Sequence, residues 1–214
     1  MLFIAGTVAL DSYELRIISG SHRGRKLRLP ASPHVRPMTD RVRAALFSIL
    51  GDAVPERAFF DVFAGTGAVG LEALSRGASR ACFIEKDNRN TQSLQRLLRE
   101  WQLADRAQVL QADAYRWADK GALPAEPCNV FLGPPYPELD AHLEALQGLL
   151  RTLEARLATG SVLAVQTEKQ FPEELLCAGT DWDTRLYGRT RLSIWVKKAS
   201  AAEVTAVPHE HEPA

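Results

Sequence analysis

A glycine-rich loop between an apolar run and an amphipathic stretch constrains the fold of this chain more than any other feature. The loop is Asp61-Val-Phe-Ala-Gly-Thr-Gly-Ala-Val-Gly70, which contains the pattern GxGxxG at residues 65–70. The apolar run at 58–63 is typical of a buried strand, and helical spacing follows the glycines. Glycines let the backbone approach a ligand closely, and a helix N-terminus attracts anionic groups. The segment therefore predicts a strand–loop–helix unit that binds a nucleotide-like cofactor.

Apolar runs alternate with amphipathic stretches from residue 58 onward. Strand candidates lie at 58–63, 80–85, 107–110, 129–132 and 161–166, and helix candidates lie at 67–76, 88–101, 114–120 and 139–158. This alternation predicts a parallel sheet with helices on both faces. Two further runs, 183–187 and 191–197, are separated by three residues and predict an antiparallel hairpin at the sheet edge. The expected α/β, Rossmann-like fold has a seven-stranded mixed sheet, and its layout resembles that of class I S-adenosylmethionine-dependent methyltransferases.

The N-terminal part of the chain concentrates positive charge. Residues 16–43 contain eight Lys or Arg side chains and one acid, Asp40, so this segment is +7 while the whole chain is neutral. Short β-like runs at 14–19 and 25–29 predict a small hairpin. Thr39 is a favourable N-cap for a helix that ends near Gly51. A basic arm on an otherwise acidic body predicts a polyanionic partner that binds at one place.

Composition limits the remaining possibilities. The 214 residues suit one substantial domain, and we expect a basic extension with a hairpin at 1–38, an α/β domain at 39–198 and a disordered tail at 199–214. The apolar residues 1–10 are too few to span a bilayer and lack a basic flank, so we expect no membrane association. Three widely spaced cysteines without a CxxC pair predict neither disulfides nor zinc, and favour a cytoplasmic protein. We expect a monomer without a metal site, and we interpret His209 and His211 as part of a solvated tail.

Acidic residues lie at or just beyond the ends of the first three strands predicted for the sheet. Asp61 directly precedes the glycines, Glu85 ends the second strand 18 residues beyond Gly67, and Asp113 follows the third strand. An acid in the position of Glu85 accepts hydrogen bonds from ribose hydroxyls, whereas Asp61 suits an ammonium group and Asp113 suits an adenine amine. Each acid has an ordinary alternative role, and Asp113 in particular is a good helix N-cap. Together they favour a sulfonium nucleoside over a pyrophosphate, although a nucleotide-dependent oxidoreductase remains the alternative for this loop.

A second loop, Leu132-Gly-Pro-Pro-Tyr136, follows the fourth predicted strand. Prolines fix the backbone carbonyls, and an aromatic ring stacks on an extruded base. Methyltransferases that act on exocyclic base amines have Asp or Asn before the two prolines. That side chain accepts amine hydrogens and makes the nitrogen lone pair reactive. The loop indicates such chemistry, with the catalytic segment formed by Gly133, Pro134, Pro135 and Tyr136.

These motifs resemble those of the RsmD family, which methylates N2 of a guanine in bacterial 16S ribosomal RNA. The resemblance covers roughly residues 16–197. Its family-specific part is Arg16-Ile-Ile-Ser-Gly…Arg23-Gly-Arg-Lys-Leu27 together with Arg36-Pro-Met-Thr-Asp-Arg-Val-Arg43. It continues through the glycine loop, Gly70-Leu-Glu-Ala-Leu-Ser-Arg-Gly-Ala78, Glu85-Lys86, Pro134-Pro-Tyr136 and Tyr187-Gly188. It implies S-adenosylmethionine as the cofactor and 16S rRNA in the small ribosomal subunit as the partner.

The resemblance also implies roles for individual residues. The residues implied to bind the cofactor are Thr39, Asp61, Phe63, Ala64, Gly65, Thr66, Gly67, Glu85, Lys86, Asp113 and Ala114, with Asp40 beside them. Those implied to bind rRNA are Arg16, Arg23, Arg25, Lys26 and Arg28.

The departure from the family pattern is Gly133, which stands where the family has Asp or Asn. Three explanations stay open: impaired activity, rescue of the acceptor by Asp40 or Glu138, or a catalytically weak RNA-binding or ribosome-assembly factor. Another nucleobase-amine methyltransferase, acting on adenine or cytosine, is the nearest alternative within the same chemistry.

Overall fold

A computed structural model describes residues 12–30, 38–176 and 181–199, apart from the side chains of residues 12, 13, 28–30, 137, 138 and 140. The apolar start of the chain, Arg36, Cys177 and the tail with its histidines lie outside the described residues. The strands are β1 (Ser12–Arg16), β2 (Lys26–Pro30), β3 (Ala58–Val62), β4 (Arg80–Glu85), β5 (Ala107–Gln111), β6 (Asn129–Leu132), β7 (Val162–Glu168), β8 (Asp183–Tyr187) and β9 (Thr190–Val196). The helices are α1 (Asp40–Leu50), α2 (Ala68–Ser75), α3 (Asn88–Glu100), α4 (Ala114–Lys120), α5 (Tyr136–Ala141) and α6 (Leu143–Arg156).

The main sheet has seven strands in the order β5-β4-β3-β6-β7-β9-β8. Strands β3 to β7 pair in parallel, while β9 is antiparallel to both β7 and β8. The predicted mixed sheet is therefore confirmed, and its architecture is that of class I S-adenosylmethionine-dependent methyltransferases. The direction of winding reverses between β3 and β6, and ligands bind beyond the carboxyl ends of the strands at such a reversal.

The central strands form because both of their faces are covered by apolar side chains. Every residue of β3 and of β6 is buried, as expected for strands between two helical layers. On one face, Phe60 and Leu132 pack with α4 and α6, including Trp117. On the other face, Phe59 and Phe131 pack with α1 and α2.

The predicted N-terminal hairpin is confirmed as β1 and β2, which pair antiparallel as a separate two-stranded sheet. Its tip docks on the C-terminal end of α2, where the backbone N–H of Ser21 donates to the carbonyl of Ser75 at 2.8 Å. Gly20 has φ +85°, and a Cβ there would lie 1.8 Å from the Ser75 oxygen. Only glycine permits this approach of the tip to the helix.

One predicted element differs from the structure. The continuous helix expected at 139–158 is two helices, α5 and α6, separated at His142, whose φ of −126° and ψ of 30° are not helical. Helix α5 starts earlier than the apolar spacing predicts because Pro137, with its fixed φ, suits a first helical turn. Among the residues that the structure describes, no helix has the length and apolar character needed to cross a membrane.

Candidate active site

The glycine loop connects β3 to α2 through an unusual backbone path. Phe63 has φ +64° although it has a side chain, and its ring packs edge-on against Tyr115 with the centroids 5.3 Å apart. Gly67 has φ +72° and is the N-cap of α2. A Cβ at Gly67 would lie 2.6 Å from a methyl carbon of Leu94, so both conformation and space require glycine here. Left-handed conformations at non-glycine residues cluster at ligand-binding sites.

Glu85 lies at the carboxyl end of β4, as predicted, and its carboxylate ties two loops together. One oxygen accepts a hydrogen bond from the backbone N–H of Gly65 at 2.7 Å, and the other accepts from Asp87 at 2.8 Å. Glu85 is buried, but two bonds occupy only half of the acceptor capacity of a carboxylate. The glycine loop is thus fixed beside a group that retains capacity for ribose hydroxyls.

Asp61 lies beneath the glycine loop rather than on its surface. Its side chain is buried in the centre of the sheet, and one oxygen accepts a hydrogen bond from the backbone N–H of Gly70 at 2.8 Å. Burial raises the pKa of Asp61 to about 8, the Gly70 hydrogen bond opposes this rise, and the charge of Glu85 adds to it. The contact found for this carboxyl group therefore fixes the first turn of α2, and its predicted contact with an ammonium group stays a prediction.

Asp113 caps a helix, which is the ordinary role that its position also allowed. Its side chain accepts a hydrogen bond from the backbone N–H of Tyr115 at 2.9 Å, and it is exposed at the start of α4. The backbone N–H of Ala112 donates to the carbonyl of Glu85, so the ends of β4 and β5 are adjacent. The structure thus places Asp61, Glu85 and Asp113 at or just beyond the carboxyl ends of three neighbouring strands. Contact between Asp113 and an adenine amine stays a prediction.

The remaining residues implied at the cofactor site differ in exposure. Thr66 accepts a hydrogen bond from the backbone N–H of Ala68 at 3.3 Å. Ala64 and Ala114 are buried, and Lys86 is exposed. Thr39 is the N-cap of α1, as predicted, and its hydroxyl accepts from the backbone N–H of Val42 at 3.4 Å.

The second loop leaves β6 at the same level as the glycine loop leaves β3. Val62 is paired with Leu132, and the backbone N–H of Gly133 donates to the carbonyl of Val62 at 3.1 Å. Pro134 is buried and Pro135 is half-buried, so the proline segment is held against the protein. The two loops that the sequence singles out therefore start side by side on neighbouring strands.

Tyr136 is positioned by a residue that the sequence reasoning missed. Gln166 lies near the carboxyl end of β7, is buried, and donates a hydrogen bond from Nε2 to the Tyr136 hydroxyl at 2.8 Å. The Tyr136 ring is half-buried against the core. A polar residue within the otherwise apolar run at 162–166 was the available signal, because a buried amide needs a partner.

Gly133 occupies a position that its backbone does not require to be glycine, because its φ lies outside the left-handed region. A Cβ there would lie 2.9 Å from Cε1 of Phe131, the far end of a side chain, and 3.4 Å from its Cζ. The buried Phe131 ring must therefore shift to admit the Asp or Asn side chain of the family pattern.

The geometry weighs against Asp40 as a replacement for the missing acceptor. One of its oxygens accepts from Nη2 of Arg43 at 3.0 Å, and the other accepts from Nε of Arg16 at 3.3 Å. Both oxygens are therefore engaged by the N-terminal arginines. The side chain of Glu138, the other candidate, lies outside the described residues.

Arg43 is counted in the basic segment at residues 16–43, but it is not part of an exposed basic arm. Its side chain is fully buried, with Nε 3.6 Å from a carboxylate oxygen of Glu72, which is also fully buried. Glu72 accepts hydrogen bonds from the backbone N–H groups of Ile18 and Ser19 and from Nε of Arg76. The charge of Arg43 is thus internal and fixes the hairpin to α2, so it does not belong to a surface for polyanions.

The residues implied to bind rRNA lie along the hairpin. Arg23 and Arg25 are exposed, and the Arg25 guanidinium lies 5.3 Å from the centroid of the Trp101 ring. Lys26 pairs with Glu14 at 2.8 Å, and Arg16 pairs with Asp40. The backbone of Arg28 lies in β2, whereas its side chain lies outside the described residues. Exposed ion pairs of this kind contribute little to stability, so they exchange readily for phosphate contacts.

Cys82 and Cys128 are buried and free, as the sequence indicated. Burial raises the pKa of each thiol to about 11, so neither is a thiolate near neutral pH. Neither cysteine is placed to act as a nucleophile.

Comparison with known proteins agrees with this geometry. The family model described as "Conserved hypothetical protein 95" matches residues 15–196. Ribosomal RNA small subunit methyltransferase D of Escherichia coli (strain K12) is 45% identical over 127 residues, covering 58% of this chain and 62% of that protein. The Bacillus subtilis (strain 168) protein YlbH is 34% identical over 188 residues, covering 86% of this chain and 100% of YlbH. The solved structure of Escherichia coli yhhF gives a TM-score of 0.72 at 32% identity, covering 88% of this chain and 100% of that chain. The chain therefore belongs to the RsmD family of methyltransferases.

Proposed function

We propose that this protein transfers a methyl group from S-adenosylmethionine to N2 of a guanine in 16S rRNA, and that Gly133 slows the chemical step. The observation that carries this proposal is the origin of the two loops on neighbouring strands. The Val62–Leu132 pairing places the start of the glycine loop beside the start of the Gly133–Tyr136 loop. A cofactor held by the first loop would therefore lie next to a base held by the second.

The acidic groups at the strand ends fit S-adenosylmethionine. This cofactor is a cation that presents hydrogen-bond donors from its ammonium group, its ribose hydroxyls and its adenine amine, and when bound it supplies an electrophilic methyl group. Glu85 and Asp113 would accept the ribose and adenine donors. Burial raises the pKa of Asp61 to about 8 in the free protein, and an ammonium group bound beside it would favour its ionised form. A pyrophosphate would be repelled by the same carboxylates, which argues against the oxidoreductase alternative, and family membership argues against it as well.

The residues of the second loop would orient the base amine. The Tyr136 ring stacks on an extruded guanine, and Gln166 fixes the direction of that ring through the 2.8 Å bond to its hydroxyl. A backbone carbonyl of the rigid proline segment accepts one amine hydrogen. The amine loses one proton when it is methylated, and that proton passes to solvent. Without a side-chain acceptor at residue 133, we expect a rate reduced by about 10²–10³, as for loss of one preorganised polar contact.

The proposed partner is 16S rRNA within the small ribosomal subunit. The Escherichia coli relative is by name a ribosomal RNA small subunit methyltransferase. The exposed Arg23 and Arg25 of the hairpin would contact phosphates, which position an RNA without reading its sequence. We propose that the protein acts as a monomer in the cytoplasm, where ribosomes are assembled.

Product identification tests this proposal. Under-methylated small subunits are incubated with the protein and with S-adenosylmethionine carrying a labelled methyl group, and the rRNA is digested to nucleosides. The expected product is N2-methylguanosine, with no label when Tyr136→Ala replaces the unaltered chain. Label in an adenosine or cytidine would refute guanine specificity and support the other nucleobase-amine reaction.

Gly133 favours one second candidate function, that of an RNA-binding or ribosome-assembly factor with little catalysis. Such a protein would bind small subunits through the hairpin and would retain the fold without the amine acceptor. Binding to subunits with no labelled product, even at stoichiometric protein, supports this candidate over the first.

A further inference from the structure

A cleft of about 540 Å³ lies at the opposite edge of the sheet from the candidate active site. It is formed at the amino ends of β3, β4 and β5 and is bordered by the C-terminal end of α4. Its apolar wall includes Phe60, Trp117 and Leu123. We name it the amino-edge cleft. Its volume is in the range of pockets that bind small organic groups.

The charged groups around the amino-edge cleft are mostly cationic. Arg80, Arg106 and Lys120 line it and are exposed, whereas Asp105 is the one acid in its lining. No salt bridge within the described part of the chain involves any of these three cations. Cations without carboxylate partners beside an apolar, aromatic wall fit an anion that carries a flat ring.

The walls of the amino-edge cleft are fixed from behind. Arg156 of α6 donates to the carbonyls of Ala118 and Gly121, which satisfies backbone acceptors at the C-terminal end of α4. The Trp117 ring packs against Phe60 with the centroids 5.7 Å apart. A preformed wall reduces the ordering cost of binding.

Arg106 relates the amino-edge cleft to the tip of the hairpin. His22 at the hairpin tip stacks on Trp101 with the centroids 6.0 Å apart, and Arg25 lies over the same ring. The pKa of His22 is lowered by burial and then by the positive charges of Arg25 and Arg106. Arg106 is therefore close enough to act on the hairpin tip, and it also lines the cleft. Arg106 is thus shared between the surroundings of the hairpin tip and the lining of the cleft.

We propose that the amino-edge cleft binds an unpaired nucleotide of the substrate RNA, away from the methylated guanine. The base lies against the apolar wall with Trp117, and its phosphates lie near Arg80, Arg106 and Lys120. This inference rests on the proposed rRNA substrate. It assigns a second point of contact, so that the RNA would be held at both the carboxyl and the amino ends of the parallel strands.

Charge reversal tests the cations of the cleft. Arg106→Glu and Lys120→Glu are compared with Arg151→Glu, a matched control at an exposed position of α6 outside the cleft lining. We expect each cleft variant to bind a 16S rRNA fragment about tenfold more weakly at 0.1 M salt. The slope of the logarithm of the binding constant against the logarithm of salt concentration should become shallower by about one. Equal RNA affinities for the cleft variants and the control would overturn the proposal.

Cross-linking tests the base itself. The fragment is made with 4-thiouridine, irradiated in complex with the unaltered chain, and the adducts are mapped by peptide mass spectrometry. We expect an adduct within residues 115–124, and adducts confined to other segments would overturn the proposal. Adenosine monophosphate is the probe for a free nucleotide. The proposal would also be overturned if the protein bound this nucleotide tightly while Lys120→Glu left the RNA affinity unchanged. If the unaltered chain binds cofactor but no RNA, the rRNA function itself fails, whereas equal RNA binding by all variants refutes only the cleft.

Discussion

For single residues, the proposed function assigns cofactor binding and methyl transfer to different side chains. Gly133 lacks the amine acceptor, whereas Glu85 and Asp61 hold the glycine loop through backbone N–H groups that residue 133 does not touch. The glycine loop and the Gly133–Tyr136 loop are therefore held by different contacts. Loss of one acceptor should change the rate of transfer and leave cofactor affinity intact.

Asp61 makes a prediction about pH. Burial raises its pKa from 3.8 to about 8, so the folded state retains a proton that the unfolded chain loses above about pH 4. The stabilising contribution of this group is complete below pH 3.8 and is lost as pH rises through 8. Asp61→Asn keeps an acceptor for Gly70 but does not titrate. Between pH 5 and 8, we expect the free energy of unfolding of the unaltered chain to fall relative to the variant by up to about 1.4 kcal/mol per pH unit.

Denaturant unfolding of both proteins at several pH values in this window measures the difference. Comparison with the variant removes the contribution of the titrating groups that do not interact with Asp61. Parallel pH profiles would show that Asp61 is already ionised at neutral pH and that burial has not raised its pKa.

Gln166 makes a prediction about base positioning. Gln166→Ala removes the hydrogen bond to the Tyr136 hydroxyl, so the ring is held in place less firmly. We expect the KM for RNA to rise and kcat to fall, with unchanged affinity for S-adenosylhomocysteine, and we expect Gln166→Glu to restore part of the loss by accepting from the hydroxyl. Steady-state methyl transfer measures both constants. A variant with unaltered kinetics would mean that Tyr136 needs no such support.

Among the elements, continuous apolar runs locate the central strands of the main sheet, because strands covered on both faces exclude polar side chains. Strand β8 is largely exposed and polar, and it is located by its place in a hairpin with β9. The loops of the site are equally visible, because glycines and prolines mark them. The division between α5 and α6 is not visible in the sequence, since apolar spacing continues across His142. Nor is the burial of Arg43 visible, because its partner Glu72 is distant in sequence and only the folded chain brings them together.

Arg43 makes a prediction about attachment of the hairpin. Arg43→Ala removes a buried cation whose partners are Glu72, Asp40 and the carbonyl of Arg16. Glu72 keeps Arg76 and two backbone N–H donors, so the loss is the cost of leaving buried hydrogen-bonding groups without Arg43, about 1–3 kcal/mol. We expect a loss of this size in the free energy of unfolding, measured with urea, and earlier proteolysis within the hairpin. Arg41→Ala is the matched control, and its exposed neighbouring position predicts a change within about 0.5 kcal/mol.

In the whole molecule, the hairpin reaches from the side of the sheet at the carboxyl ends of the parallel strands to the side at their amino ends. Its tip contacts the C-terminal end of α2, whereas Arg16 pairs with Asp40 at the N-terminus of α1, on the side of the candidate site. An RNA that follows the hairpin would thus extend from the methylated base towards the amino-edge cleft. The net charge of zero for the whole chain conceals this surface, and only the position of the charges reveals it.

Charge reversal on the hairpin tests this path. Arg25→Glu together with Lys26→Glu should weaken RNA binding. The slope of the logarithm of the binding constant against the logarithm of salt concentration should become shallower by about two, because two phosphate contacts are lost. The affinity for S-adenosylhomocysteine should not change. Fluorescence anisotropy with a labelled 16S rRNA fragment over a range of salt concentrations measures both quantities for RNA. Undiminished RNA binding would show that the hairpin is not the RNA contact.

In the proposed function, the missing acceptor at residue 133 limits the chemical step of methyl transfer. The most direct measurement compares single-turnover methyl transfer to under-methylated small subunits by the unaltered chain, Gly133→Asp and Gly133→Asn. We expect a rate about 10²–10³ higher for Gly133→Asp, with equal affinity for S-adenosylhomocysteine. Thermal unfolding of each variant shows whether the Phe131 ring has accommodated the new side chain. A fast unaltered chain that folded variants do not improve would contradict this account of the loop.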